Sequence, residues 1–466
     1  MTLIKSISGI RGTIGGNSGE GLTPVDIVKF TAAYTVWAQQ QAALKGYTGK
    51  IKIVLGRDAR ISGTMVNQLV CGSLLACGID VVDLGLATTP TVEMAVVAEA
   101  ADGGIILTAS HNPREWNALK LLNAQGEFLN AQEGARLLAV AQEGRFQYVG
   151  VDQLGQYSQK NLLPHHIEAI LALPAVNVEA IYRAGFKVVV DAVNSVGGIA
   201  VPQLLESLGV SCIPLHCEPH GNFAHDPEPL PEHLQELSAK VVAEQADLGI
   251  SVDPDVDRLA LVCEDGSVFG EEYTLVAIAD YILSRQKGSV VSNLSSSRAL
   301  YDMAQKHGCQ HFRSAVGEVN VVAEMKERQA VIGGEGNGGV IYPPLHYGRD
   351  ALVGIALFLT YLAEQGCSAS QLRQAYPNYY MSKNKLELPQ GVQVPLLFSH
   401  IKELYKDQTI RDIDGVHIDF AQEQKWVHLR ASNTEPVLRI YAEAADLATA
   451  QALAQDVIQK LHSFVQ

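Results

Sequence analysis

The residues with the plainest chemical content are three aspartates. Asp253, Asp255 and Asp257 alternate through Asp-Pro-Asp-Val-Asp-Arg (253–258), directly after the apolar run Asp-Leu-Gly-Ile-Ser-Val. Carboxylates this close repel one another when buried and become tolerable around a divalent cation. An all-oxygen set suits a hard ion, magnesium before zinc. An EF-hand is the rival, and Glu264 falls where its last ligand would be. Its obligatory glycine, however, is replaced by Arg258, and the β-rich Leu-Ala-Leu-Val-Cys follows, so the EF-hand is rejected. A solvated acidic turn is the alternative, and the metal reading is preferred because the strand before the triplet would hold it in place.

A second stretch, Thr-Ala-Ser-His-Asn-Pro (108–113), ends an apolar run on Ser110. A serine there exposes its hydroxyl at the carboxyl end of a sheet, where α/β folds bind ligands. It is not the G-x-S-x-G elbow of hydrolases, and an ordinary strand-end turn would look the same. The third stretch is Gly-Gly-Glu-Gly-Asn-Gly-Gly (333–339). Its glycines let a backbone approach a ligand closely, and Glu335 and Asn337 offer hydrogen bonds to sugar hydroxyls. It also fits a flexible turn. In the fourth, Arg-Ala-Ser-Asn-Thr-Glu-Pro-Val-Leu-Arg (430–439), Arg430 and Arg439 flank Ser432, Asn433 and Thr434. Guanidinium forks with hydroxyls suit a phosphate, and a hairpin turn with surface arginines is the alternative. Cys212, His216, Cys217 and His220 include metal-ligand types, but their spacing matches no common zinc pattern.

Elements must position these groups. Strands are expected at 51–56, 104–110, 187–192, 247–253, 289–293 and 425–430. Helices are expected near 24–44, 63–77, 198–208, 231–246, 271–286, 317–328, 350–365 and 445–463. The alternation predicts α/β layers with largely parallel sheets. Val-Leu-Gly-Arg-Asp-Ala-Arg-Ile-Ser-Gly (54–63), the run at 188–198 and the run at 290–299 echo one another as strand, polar loop and helix start, as tandem related units would. The last hundred residues or so read as a smaller α+β segment. Boundaries near 155, 258 and 368 divide the chain into 1–155, 156–258, 259–368 and 369–466.

Composition narrows the function classes. The 466 residues are 47% hydrophobic and 18% charged, which argues against disorder, and the net charge is 35 − 50 = −15. Such a chain repels nucleic acid, and no basic run offsets this, so no nucleic-acid partner is expected. Seven scattered cysteines do not read as a disulfide framework. The opening residues lack a signal-peptide core, and the longest apolar run, 351–363, is too short to span a bilayer and suits a buried helix. A soluble cytoplasmic protein without a membrane partner is expected.

Taken together, and in this order, the serine, metal, sugar and phosphate loops resemble the signature set of the α-D-phosphohexomutase family, and Ser-Gly-Ile-Arg-Gly (8–12) resembles its opening motif. The resemblance spans the whole chain. It implies three tandem related mixed α/β domains plus a smaller C-terminal α+β domain around a central cleft, in a monomer or homodimer. The implied reaction moves a phosphoryl group between the 1- and 6-positions of a hexose phosphate. Ser110 would carry a covalent phosphate and form a sugar bisphosphate intermediate. Mg2+ would be held by Asp253, Asp255, Asp257 and a Ser110 phosphoryl oxygen. Lys120 is the acid/base candidate, although a plain surface lysine at a strand end is the other reading. Arg11 and His111 would line the pocket and Arg258 would contact the phosphoryl oxygens. Glu335, Asn337 and Gly338 would meet the sugar. Arg430, Ser432, Asn433, Thr434 and Arg439 would hold the non-reacting phosphate.

The chain departs from the common Gly-Glu-x-Ser-Gly-His sugar loop: Asn337 replaces the serine and Gly339 the histidine. His346 or Arg349, downstream, is a candidate substitute for that histidine. Asn433 stands where many members have glycine. The Gly-Glu-Gly-Asn-Gly-Gly variant resembles the phosphoglucosamine mutase branch, with phosphoglucomutase/phosphomannomutase as the runner-up. A metal-dependent sugar-phosphate phosphatase would use the same serine and carboxylates but pass the phosphoryl group to water.

Overall fold

Strand and helix signals alternate along the chain, and the computed structural model, which describes residues 1–6, 9–389, 392–432 and 437–465, resolves them into four sheets. The first region contains β1 (Leu3–Ser6), β2 (Gly9–Thr13), α1 (Pro24–Leu44), β3 (Lys52–Arg57), α2 (Gly63–Ala76), β4 (Asp80–Leu86), α3 (Thr89–Ala98), β5 (Gly103–Leu107), β6 (Trp116–Leu122), α4 (Ala131–Glu143) and β7 (Tyr157–Gln159). Its sheet has the order β1-β2-β6-β5-β3-β4-β7. β3 runs parallel to β4 and β5, whereas β6 joins β5 antiparallel. α1 starts where its sequence says it should: Thr23 and Asp26 form a capping box and Pro24 occupies the first turn.

The second region runs through α5 (Leu163–Leu171), α6 (Val178–Ala184), β8 (Lys187–Asp191), α7 (Gly197–Ser207), β9 (Ser211–Leu215), α8 (Gln235–Glu244), β10 (Leu248–Val252) and β11 (Leu259–Cys263). Its sheet order is β11-β10-β8-β9, again a parallel core with one antiparallel strand. Next come α9 (Glu271–Arg285), β12 (Val290–Asn293), α10 (Ala299–Lys306), β13 (His311–Ser314), α11 (Glu318–Arg328) and β14 (Ile332–Glu335). β12 lies between β13 and β14, parallel to both. The three echoed stretches are β3 leading to α2, β8 to α7 and β12 to α10. Beside each first strand lies the strand (β5, β10 or β14) whose carboxyl end carries one of the first three motifs.

After β15 (Gly339–Ile341) comes α12 (Ala351–Gln365), then α13 (Ala369–Gln374). Residues 351–362 of α12 are all buried, as their apolar run predicts, and Asp350 caps the helix by accepting from the Leu352 and Val353 amides. Its middle packs Phe358 edge-on against Phe269, ring centroids 5.1 Å apart. The chain ends with β16 (Tyr380–Glu387), α14 (Val394–Leu404), β17 (Thr409–Arg411), β18 (Val416–Phe420), β19 (Lys425–Ala431), β20 (Val437–Ala444) and α15 (Leu447–Val465). These strands form an antiparallel sheet in the order β16-β20-β19-β18-β17, so the C-terminal segment is α+β.

Two compact units emerge: residues 1–274 with 338–371, and residues 275–337 with 372–466. No helix among the described residues is long and apolar enough to cross a membrane. One expected helix starts late: the chain makes a 3-10 turn at Pro231–His233 and α8 begins only at Gln235. A helix that was not expected, α3, has no clear signal in the sequence, because most of its positions are buried and its polarity lacks a helical period.

Candidate active site

In the first unit, Ser110 lies just past β5 with φ +49°, in the left-handed region that a serine rarely enters. A buried ion pair holds it there. The Arg60 guanidinium bonds the Asp58 carboxylate at 2.9 Å and donates to four carbonyls of the serine loop: those of Ser110, Asn112 (2.7 Å), Pro113 (2.8 Å) and Trp116 (3.1 Å). Thr108 donates to Asp58 at 2.6 Å and accepts from the Ser110 amide at 2.9 Å. The Ser110 hydroxyl is thereby aimed at Asp253, to which it donates at 2.6 Å. His111 Nδ1 lies 3.4 Å from the same Oγ.

The three aspartates are fully buried. β10 delivers Asp253, and the chain then reverses through Val256, whose φ is +65°. Asp253 Oδ1 accepts from the amides of Asp257 (3.1 Å) and Arg258 (3.2 Å), closing the turn on itself. Thr89, the first residue of α3, donates its hydroxyl to Asp255 at 2.6 Å, and its amide bonds the Asp255 carbonyl. Arg349 donates to Asp257 at 2.7 Å. Among the described residues, Asp255 Oδ1 and Asp257 Oδ1 are buried with no hydrogen-bond donor, and one oxygen from each carboxylate lies within 4.8 Å of the others. Oxygens converging in this way, with lone pairs unspent, fit a hard divalent cation.

Cations ring the triplet. Lys120, on β6, is buried rather than on the surface, its Nζ 2.7 Å from Asp255 and 3.4 Å from Asp257. Burial disfavours its charge, but the two aspartates outweigh that and raise its pKa. Arg258 pairs with Glu228 at 3.1 Å, and Arg11, on β2, donates to Asn112 Oδ1 at 3.3 Å. Among the described residues, the Nε groups of Arg11 and Arg258 are buried without an acceptor. Burial also pushes Asp257 upward, yet Arg349, Lys120 and Arg258 prevail and hold it well below the usual carboxylate range. Asp253 goes the other way: burial, then the charges of Asp257 and Asp255, drive it well above. Burial and neighbouring Arg258 keep the His111 ring far below its usual value. The site is therefore a largely buried cluster of opposed charges around one hydroxyl, suited to binding and transferring a small anion.

In the second unit, Glu335 ends β14, its Oε1 accepting from Asn293 (2.8 Å) and the Gly317 amide (3.0 Å). Asn337 follows, partly exposed. Gly338, in the first unit, has φ +84°, and its carbonyl accepts from the Leu259 amide at 3.0 Å. Arg430 and Arg439 are direct cross-strand partners on β19 and β20, and Lys385 on β16 pairs with Arg439 in turn. Directly paired residues share a face, so three cations form a row there. Arg430 is steadied by Asp414 at 3.0 Å. The Ser432 amide bonds the Val437 carbonyl at the mouth of the hairpin. Asn433 and Thr434 lie outside the described residues, as does Ser8 of the opening motif.

Sequence reasoning passed over Asp58, Arg60, Thr89 and Lys385. The first two stand in Gly-Arg-Asp-Ala-Arg after β3, the same punctuation that marks the repeat, which was the available signal. The Cys212–His220 group is occupied separately: Cys217 Sγ lies 3.3 Å from the Val190 carbonyl, and His216 faces Glu236 at 3.1 Å.

Matches to one known family run along most of the chain. Phosphoglucomutase/phosphomannomutase alpha/beta/alpha domains I, II and III match residues 3–148, 164–266 and 270–380, and the C-terminal domain of that family matches 398–460. A phosphoglucomutase/phosphomannomutase of Thermococcus kodakarensis is 34% identical, covering 93% of this chain and 94% of that protein. A probable phosphoglucosamine mutase of Methanopyrus kandleri is 32% identical, covering 98% of each. The crystal structure of a phosphoglucomutase/phosphomannomutase family protein from Burkholderia thailandensis superposes with a TM-score of 0.83 at 26% identity, over 98% of this chain and 97% of that one. The fold and the site together define a phosphohexomutase. This chain belongs to the phosphoglucomutase/phosphomannomutase family, within the α-D-phosphohexomutases.

Proposed function

We propose that this enzyme interconverts hexose 6-phosphate and hexose 1-phosphate through a phosphorylated Ser110 and a sugar bisphosphate, with glucosamine phosphate as its preferred substrate. The observation that carries this reading is the Ser110 hydroxyl at 2.6 Å from the first of three buried aspartates. In the first half-reaction the bond from phosphorus to Ser110 Oγ breaks and a bond to the sugar hydroxyl oxygen forms. The hydroxyl proton passes, by way of Lys120 or His111, to Oγ. The bisphosphate reorients and its other phosphoryl group returns to Ser110. Asp253, Asp255 and Asp257, with a phosphoryl oxygen on Ser110, would hold Mg2+, which supplies charge neutralisation for the transferring group.

Arg11 and Arg258 contact the transferred phosphoryl oxygens, with their buried Nε groups as donors in hand. Glu335, Asn337 and Gly338 meet the sugar, and the carboxylate of Glu335 is already oriented by Asn293 and Gly317. Arg430, Ser432, Asn433, Thr434 and Arg439 hold the non-reacting phosphate, so either end of the sugar is presented in turn. The four-part division at 155, 258 and 368 belongs to the same proposal.

The glucosamine preference draws support from the Gly-Glu-Gly-Asn-Gly-Gly loop and from the name of the Methanopyrus relative. Phosphoglucomutase/phosphomannomutase activity is the second reading, supported by the Thermococcus relative. Intact-mass and peptide analysis should find a phosphoryl group on Ser110, absent from Ser110→Ala. Parallel assays on the 1-phosphates of glucosamine, glucose and mannose then decide the sugar, and comparable rates on all three would defeat the glucosamine preference. Inorganic phosphate released at the rate of turnover would instead mark a phosphatase.

A further inference from the structure

A second cluster of ionisable groups lies behind the aspartates, in the same unit. His346 places Nδ1 3.4 Å from Glu93, on α3, and Nε2 3.3 Å from Asp350, at the head of α12. His166, on α5, adds Nε2 at 2.9 Å from the same Asp350 oxygen, while its Nδ1 meets the Thr91 hydroxyl at 3.0 Å. Glu93, Asp350 and His166 are buried. The two elements bridged by His346 are the ones that grip the metal loop from outside. α3 opens with Thr89, which donates to Asp255, and Arg349, which donates to Asp257, immediately precedes Asp350.

We propose that His346 is a positioning residue, a ring wedged between Glu93 and Asp350 that locks α3 to the head of α12 and so sets the affinity of the three-aspartate site for its divalent cation. This rests on reading the aspartates as the metal site. With a carboxylate facing each ring nitrogen, the ring is a doubly protonated cation with no lone pair to offer a metal of its own. Burial works against that charge, but the bonds to Asp350 and Glu93 outweigh it and raise the pKa to about 10. Without the ring, Glu93 and Asp350 lose the cation between them, and Thr89 and Arg349 lose their fixed separation. Partners just outside a metal's ligands typically change affinity about 10- to 100-fold. The ring is one step further out, so the lower end applies.

The test uses the full-length protein, with phosphorylation matched by intact mass, and His346→Gln, Glu93→Gln and Asp253→Asn. Mn2+ binding is followed by the EPR signal of the free ion, beside the Mg2+ dependence of activity and the melting temperature. His346→Gln should weaken Mn2+ binding about tenfold and shift the Mg2+ midpoint equally, with kcat at saturating Mg2+ within about twofold of wild type. Glu93→Gln should move both in the same direction, and it carries the test if His346→Gln does not fold. A lower melting temperature with unchanged Mn2+ affinity in both variants overturns the proposal. So does stoichiometric zinc in wild type that vanishes from His346→Gln. If wild type binds no Mn2+, or Asp253→Asn binds it normally, the metal reading falls as well. Tight wild-type binding left unchanged by the two outer variants brings down this inference alone.

Discussion

Ser110 can serve only if its hydroxyl stays pointed at Asp253, and a serine at φ +49° does not hold that pose unaided. The Asp58–Arg60 pair supplies the restraint, and both side chains are fully buried. Lysine at 60 would keep the charge but not the planar fork that serves Asp58 and four carbonyls at once. Arg60→Lys should therefore lower kcat about 10- to 100-fold through misplacement of the hydroxyl and destabilise by about 2–4 kcal/mol, read by steady-state kinetics and urea unfolding. Unchanged kinetics would show that the loop holds itself. Ser110→Ala should keep the wild-type melting temperature within a few degrees while losing at least roughly a thousandfold in mutase rate, since it removes the atom that carries the group.

At the scale of elements, the turn joining sugar loop and strand is tightly constrained. Gly338 has φ +84°, and an added Cβ would lie 2.3 Å from the Leu259 carbonyl oxygen. Backbone cannot yield as a flexible side chain would. Gly338→Ala should cost about 3 kcal/mol or more, strain plus overpacking. Gly308, after α10, has φ +66° but nothing within 4 Å of its would-be Cβ. Gly308→Ala should cost only about 1 kcal/mol. Equal urea midpoints for the two variants would refute the steric argument. Asp350 shows how one residue joins two elements: one oxygen caps α12 while the other receives His166 and His346.

For the whole molecule the same cluster gives stability a dependence on pH. The ring of His346 is raised from near 6.5 to about 10 against Glu93 and Asp350, with His166 alongside. A raised cation stabilises fully below its unfolded value and loses that contribution as pH climbs to the folded one. Asp350, by contrast, is buried, which pushes it up, but His166 and His346 pull it well below the usual carboxylate range. Its contribution is present above that range and fades as pH falls through the lowered value. The melting temperature should thus decline between about pH 7 and pH 10. His346→Gln should melt lower at pH 6 and decline less over the same span. Parallel curves for the two proteins would exclude this ring as the titrating group.

The four motifs, the alternation of strands and helices and the buried helix at 351–363 were legible in the chain itself, because each depends on residue type at short spacing. Ser110 and Asp253 are far apart in sequence, however, and no local rule brings them to 2.6 Å. Packing of the first region against the second does that, through contacts such as Thr89 and Lys120 on Asp255 and the Ala59 amide on the Ser195 hydroxyl. Tertiary structure also decided that Lys120 is buried between two aspartates instead of waving at the surface, that Thr89 opens a helix with no periodic signal, and that His346 faces two carboxylates rather than the sugar loop. Those outcomes turn on desolvation and on charges contributed by distant segments. Neither quantity is written in the neighbours of any one residue.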